Sequence, residues 1–184
     1  MTYLVAAVAI LGVVSLLNLL LVLGVLRRLR AGVEDTGSAH VVTARGLLRG
    51  SRPGAFLVRT LDDGPLTQAD LAGGGPTLIG FFSPGCGPCA EALPSFAARA
   101  ANWPGGPERV LAVIADETEV GAEFAAPLTG LARVVVDGLD GPVATAFGVG
   151  AFPNFGILDG TAMVSAESNK VEALPAEVHT PAAA

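Results

Sequence analysis

From Leu4 to Leu26 the chain runs for 23 residues without a charge (LVAAVAILGVVSLLNLLLVLGVL), interrupted only by Gly12, Ser15, Asn18 and Gly24. As a helix rising about 1.5 Å per residue this run reaches roughly 34 Å, enough to cross a hydrocarbon core of about 30 Å. The pattern predicts a single membrane-spanning helix. A cleaved signal peptide would open on basic residues, carry a shorter apolar stretch and end at a small-residue cleavage site. Here only Met1, Thr2 and Tyr3 precede the run, and Arg27, Arg28 and Arg30 follow it. Residues 1–30 therefore read as an anchor with a basic flank. Residues 31–48 mix Gly, Ser, Thr and charges without sustained periodicity and predict a linker.

Beyond the linker, short apolar runs alternate with segments of helical spacing. Thr77 to Phe82 (TLIGFF), Arg109 to Ala115 (RVLAVIA) and Ala132 to Asp137 (ARVVVD) read as buried strands. Pro88 to Trp103 carries Leu93, Phe96, Ala97 and Ala100 on one helical face, and Glu119 to Leu131 predicts a helix interrupted at Pro127. Pro142 to Phe147 predicts a short helix. Asn154 to Leu158, a type I′ turn at Asp159-Gly160 and Thr161 to Ala166 predict a closing antiparallel hairpin. Continuously apolar strands alternating with helices imply an α/β domain, its mixed central sheet flanked by helices, over residues 49–168. Residues 169–184, with Pro175, Pro181 and a terminal alanine run, predict a flexible tail with at most a short helix at Val171 to Leu174.

Charge narrows the partners. Against 17 acidic residues stand 11 basic ones, a net charge of −6, and three of the basic residues belong to the anchor flank. Nucleic acid is excluded as the main partner, since a phosphate backbone needs clustered basic side chains. The two cysteines exclude a disulfide-rich scaffold. A closed zinc site would have to recruit both His40 and His179 from remote segments, so neither a metal nor any other cofactor is expected. The arginines after the span, with no basic side chain before it, favour a cytoplasmic domain.

Both cysteines fall in one motif, Cys86-Gly87-Pro88-Cys89, where the first core strand gives way to the first long helix. Pro88 suits the first turn of a helix, where its missing N–H costs nothing. Cys86 then sits at the helix start, facing unpaired backbone donors and the positive end of the dipole, an environment that favours thiolate. Cys89 lies one turn on, within disulfide reach and directed further inward. One sulfur attacks and the other resolves. A zinc ribbon would need a second cysteine pair, and a structural disulfide closing so small a loop would restrict the unfolded chain little.

With this motif the sequence resembles the thioredoxin superfamily, and within it the membrane-tethered TlpA-like and MauD-like thiol:disulfide oxidoreductases. The resemblance covers about residues 50–166. It is carried by RPGAFLVRTLDDGPLTQADLAGGGPTLIGFFSPGCGPC, similar to that family's opening hairpin, first helix and active-site strand, by Pro94 five residues after Cys89, and by FGVGAFPNFGILDG. It implies a thioredoxin-like fold and catalytic Cys86 and Cys89, supported by Gly87 and Pro88. It also implies a substrate-binding loop at Phe152 and Pro153, with Pro153 as the family's cis-proline. The implied partners are a protein thiol or disulfide substrate and a second redox protein, and the implied compartment is extracytoplasmic, opposite to the charge reading. The chain departs from the family at Gly85 (commonly Trp), Gly80 (where thioredoxins bury an acid), Ala92 (an acid in many TlpA-like proteins, here displaced to Glu91), Asn154 (usually Thr) and in a short or missing C-terminal helix. Two alternatives share the fold. One is a peroxiredoxin-like peroxidase, for which Ser83 is in place but Ile79 replaces the expected Pro. The other is a redox-inert interaction module.

Overall fold

The computed structural model describes residues 46–62 and 64–176, together with Gly12 and Ser15, both helical. The rest of the predicted membrane-spanning run, most of the linker and both histidines lie outside the described residues. Among the described residues no helix is long and apolar enough to cross a membrane. The chain divides into two compact units, Met1–Thr43 and Ala44–Ala184, and everything below concerns the second.

The domain opens with a hairpin of β1 (Leu57–Arg59) and β2 (Pro65–Thr67). Its centre is a five-stranded sheet built from β3 (Thr77–Phe82), β4 (Val110–Ala115), β5 (Arg133–Asp137), β6 (Asn154–Leu158) and β7 (Val164–Ser168), in the order β5-β4-β3-β6-β7. The β3, β4 and β5 strands run parallel, and β6 and β7 close the other edge antiparallel. Every residue of β3, β4 and β6 is buried, as their unbroken apolar runs require of strands covered on both faces. Successive side chains alternate faces. Leu78, Gly80 and Phe82 of β3 look toward α1 (Gly87–Ala101), whereas Ile79 and Phe81 look toward α3 (Pro142–Phe147) and the opening hairpin.

The α1 face is filled by Leu93, Phe96 and Ala100 at helical spacing, with Trp103 and with Ala125 of α2 (Glu119–Ala125). The Phe82, Phe96 and Phe155 rings stand 5.2 to 5.8 Å apart. The opposite face is filled by Phe56, Leu66, Leu71, Val143 and Phe147. Gly148 ends α3 at φ +66, a left-handed cap that glycine adopts without a Cβ penalty.

Several expectations are corrected. The first helix shrinks to a 3-10 turn, Gln68–Leu71, because only five residues separate β2 from a glycine run whose Gly73 and Gly75 take positive φ. Its start is tied by Asp70, which accepts from the Thr67 backbone N–H at 2.7 Å. The helix predicted over 119–131 ends at Ala125 and passes into a 3-10 turn, Ala126–Leu128, containing Pro127. The type I′ turn does not form. Neither Asp159 nor Gly160 takes the positive φ it needs, and a longer loop forms with Ala162 at φ +61. The Asp159 carboxylate holds that loop by accepting from the backbone N–H of Thr161 (2.7 Å) and Met163 (3.0 Å), so β7 begins at Val164 rather than Thr161.

The packed domain also outgrows residues 49–168 at both ends. Leu47, assigned to the linker, is 2% exposed in the core, and its N–H donates to the buried Asn154 Oδ1 at 3.1 Å. Burying a leucine contributes about 1.5–3 kcal/mol, more than a loose linker would forgo. Val171 and Leu174, assigned to the tail, are 3% and 4% exposed and cover part of the α1 face. Among the described residues after β7 the chain forms one 3-10 turn, Val171–Ala173, and no α-helix.

Candidate functional site

The parallel strand β3 ends at Phe82, and the chain turns through Ser83, Pro84 and Gly85 into α1. Cys86 is the residue before the helix, extended at φ −102 and ψ 112, and its carbonyl accepts from the Cys89 N–H (3.0 Å) and the Ala90 N–H (3.2 Å). Pro88 occupies the first turn, where it displaces no hydrogen bond. The geometry expected from the motif is in place: a half-buried Cys86 at the helix start and a fully buried Cys89 one turn on, both as free thiols.

The two sulfurs occupy different environments. Cys86 Sγ donates to the Phe152 carbonyl at 3.5 Å, across the sheet end from a different loop. Cys89 Sγ accepts from the Ser83 N–H at 3.5 Å and sits in the apolar cluster under α1. Burial pushes the Cys89 thiol up to about 12; the hydrogen bond with Cys86 pushes the same way and the Ser83 N–H opposes it. At neutral pH Cys89 is therefore a thiol. Cys86 is the more accessible of the two sulfurs.

The Phe152-Pro153 peptide is cis, and its loop lies against Cys86. Beside the cysteines runs a groove of about 620 Å³ whose lining includes Pro88, Glu91, Ala92, Phe152 and Pro153. Cys86, Pro88, Phe152 and Pro153 thus meet at one end of the sheet, and Gly87 is exposed at the helix start. A Cβ added at Gly85 would meet nothing within 4 Å, so the surface beside Cys86 is bare. A Cβ at Gly80 would lie 2.6 Å from the Phe96 ring and 2.9 Å from that of Phe82; aromatic carbon fills the place where thioredoxins bury an acid.

Two features were missed in the sequence. The Ser83 amide contact with Cys89 leaves no sequence signal, being made by backbone. The groove's far wall, Asn169, Lys170 and Glu172, comes from the segment read as tail, and its only signal was the apolar pair Val171 and Leu174 three residues apart.

No protein-family model matches the chain, and no curated protein matches it in sequence. Solved structures do. A thiol-disulfide oxidoreductase thioredoxin domain of Bacteroides vulgatus superposes with a TM-score of 0.56 at 18% identity, over 68% of this chain and 91% of that one. A Chlorobium tepidum protein described as a thiol:disulfide interchange protein DsbE gives 0.54 at 23% identity, over 66% and 84%. A secreted disulfide oxidoreductase of Mycobacterium tuberculosis, homologous to E. coli DsbE, gives 0.51 at 20% identity, over 68% and 87%. The domain has a thioredoxin fold. In a thioredoxin fold the end of the active-site strand, the start of the following helix and the loop holding Pro153 converge, and here that convergence carries both cysteines of the chain.

Proposed function

We propose that the chain is a membrane-tethered thiol:disulfide oxidoreductase of TlpA-like type that exchanges disulfides with a protein substrate. The observation that carries the reading is the asymmetry of the pair: Cys86 half-buried at a helix start beside the Phe152 carbonyl, Cys89 buried with its thiol pushed up to about 12. The similar structures with printed thiol-disulfide oxidoreductase names support it.

In the reducing direction Cys86 thiolate attacks one sulfur of the substrate disulfide, forming a Cys86–substrate bond and expelling the other substrate sulfur as thiolate. Cys89 then loses its proton and attacks Cys86 Sγ. The Cys86–Cys89 disulfide forms, the second substrate thiolate leaves and takes up a proton, and two electrons have passed to the substrate. The reverse sequence oxidises a dithiol. A redox partner restores the starting form.

In this reading the tether is the uncharged run Leu4 to Leu26; its basic flank favours the cytoplasmic side for the domain, against the extracytoplasmic side that the family resemblance implies. An engineered C-terminal cysteine that an impermeant reagent labels in intact cells would overturn the cytoplasmic placement. The activity is tested by reduction of insulin by the full chain with dithiothreitol as electron source. Turnover above the dithiothreitol background, lost in Cys86→Ser, is expected. An unsubstituted chain no faster than Cys86→Ser would sink the proposal and leave a redox-inert module.

A further inference from the structure

After β7 the chain folds back as a strap, residues 169–175, that runs beside α1 from the groove toward the helix C-terminus. Val171 and Leu174 anchor it in the core. Arg99, in the last turn of α1, gathers its backbone: Nη1 donates to the carbonyls of Val171 (3.0 Å) and Leu174 (3.3 Å), and Nη2 donates to that of Pro175. Nearer the groove, the Ser95 hydroxyl lies beside the Glu172 carboxylate and holds its pKa below the ordinary value. The guanidinium itself lies over Trp103, with Cζ 5.5 Å from the ring centroid. Only a guanidinium offers enough rigidly spread donors to serve three carbonyls at once.

The strap's remaining side chains face the other way, functionally speaking. Asn169, Lys170 and Glu172 line the same groove as Phe152, Pro153 and Pro88, the last of which stands between the two cysteines. Arg99 itself stands thirteen residues beyond Cys86, about 20 Å along the helix, too far to touch a reacting sulfur. Anything it contributes to exchange must pass through the strap.

We propose that Arg99 is a positioning residue for the substrate: by gathering the strap's carbonyls it holds the Asn169–Glu172 wall in place, so that the groove grips the polypeptide flanking a substrate disulfide. The inference rests on the exchange reading and adds to it the part of the chain that reads the substrate. A protein disulfide, which fills the groove, depends on the wall. A small disulfide, which needs only Cys86, does not.

The test uses the full chain in detergent with Arg99→Met, which removes every donor together with the guanidinium over Trp103, and with Ser95→Ala, which removes the hydroxyl beside Glu172. Initial rates are measured with insulin and with 5,5′-dithiobis(2-nitrobenzoate), and hydrogen exchange is followed across residues 169–174. For Arg99→Met the expected result is a KM for insulin raised about tenfold with kcat within about twofold, an unchanged rate with the small disulfide, and faster exchange in the strap. Ser95→Ala should shift in the same direction by a smaller factor. Equal losses with both disulfides, or no change with insulin despite a loosened strap, would overturn the positioning role. Failure of the unsubstituted chain to react with the small disulfide would instead sink the exchange reading beneath it.

Discussion

The buried Cys89 makes the reduced domain sensitive to alkali in a way that can be calculated. Its thiol is pushed up to about 12 from an ordinary 9.0, first by burial and then by the hydrogen bond with Cys86. A folded-state value above the unfolded one means stability is fully present below about pH 9 and is lost as pH rises toward about 12, because the unfolded chain releases a proton that the folded one keeps. The loss is about 1.4 kcal/mol for each pH unit in that window and about 4 kcal/mol in total. Between about pH 8 and about pH 10.5 it amounts to about 2 kcal/mol. Urea unfolding with a non-thiol reductant reads the effect directly, and the single tryptophan, buried Trp103, supplies the fluorescence signal. Cys89→Ala should be less stable than the parent at the lower pH and should lose about 2 kcal/mol less on going to the higher one. If both chains lose the same amount, Cys89 is not held as a thiol by its surroundings, and the division of roles between the two sulfurs fails with it.

Cys89→Ser should accumulate a mixed disulfide between Cys86 and the substrate, visible as a reductant-sensitive adduct on a gel, whereas Cys86→Ser should form none; adducts through Cys89 in Cys86→Ser would reverse the roles. Gly80→Ala should destabilise the domain by about 1–3 kcal/mol, because its Cβ would press 2.6 Å from the Phe96 ring, and an unchanged urea midpoint would show that the rings yield freely. Asn154→Ala strips the buried Leu47 N–H of its acceptor and should cost about 1–3 kcal/mol in the same assay.

The parts of the fold set by local chemistry were legible. The β3, β4 and β6 runs announced themselves because a strand covered on both faces is apolar throughout, and α1 because Leu93, Phe96 and Ala100 repeat at helical spacing behind a start proline. The parts that depend on distant partners were not. Leu47 lies in a short Leu pair flanked by glycine and arginine, and only the Asn154 side chain 107 residues away, together with the core on the α3 face, draws it into the domain. The strap reads as tail because its hold on the domain comes from Arg99, more than seventy residues earlier. The loop after β6 was misjudged for a local reason: the Asp159 carboxylate takes up the backbone donors of Thr161 and Met163 and outcompetes the two-residue turn that Asp-Gly ordinarily signals. At the site, Cys86 and Cys89 were named by their spacing, whereas the meeting with Phe152 could be expected only through resemblance, since nothing local links residues 66 positions apart.

The aromatic filling at Gly80 limits how this domain can change over generations. In a thioredoxin fold that keeps an acid beneath its cysteines, a proton carrier is built into the floor of the site. Here the floor is closed by the Phe96 and Phe82 rings, so a carboxylate at position 80 would have to push both rings aside before its charge could matter. Shrinking Phe96 would make the room, but it would open a void in the α1 face and lose stability. Two neighbouring positions are locked together, each blocking the other's most useful change, and the chemistry above them is left to develop at its rim, through residues 85, 91 and 92, where there is room.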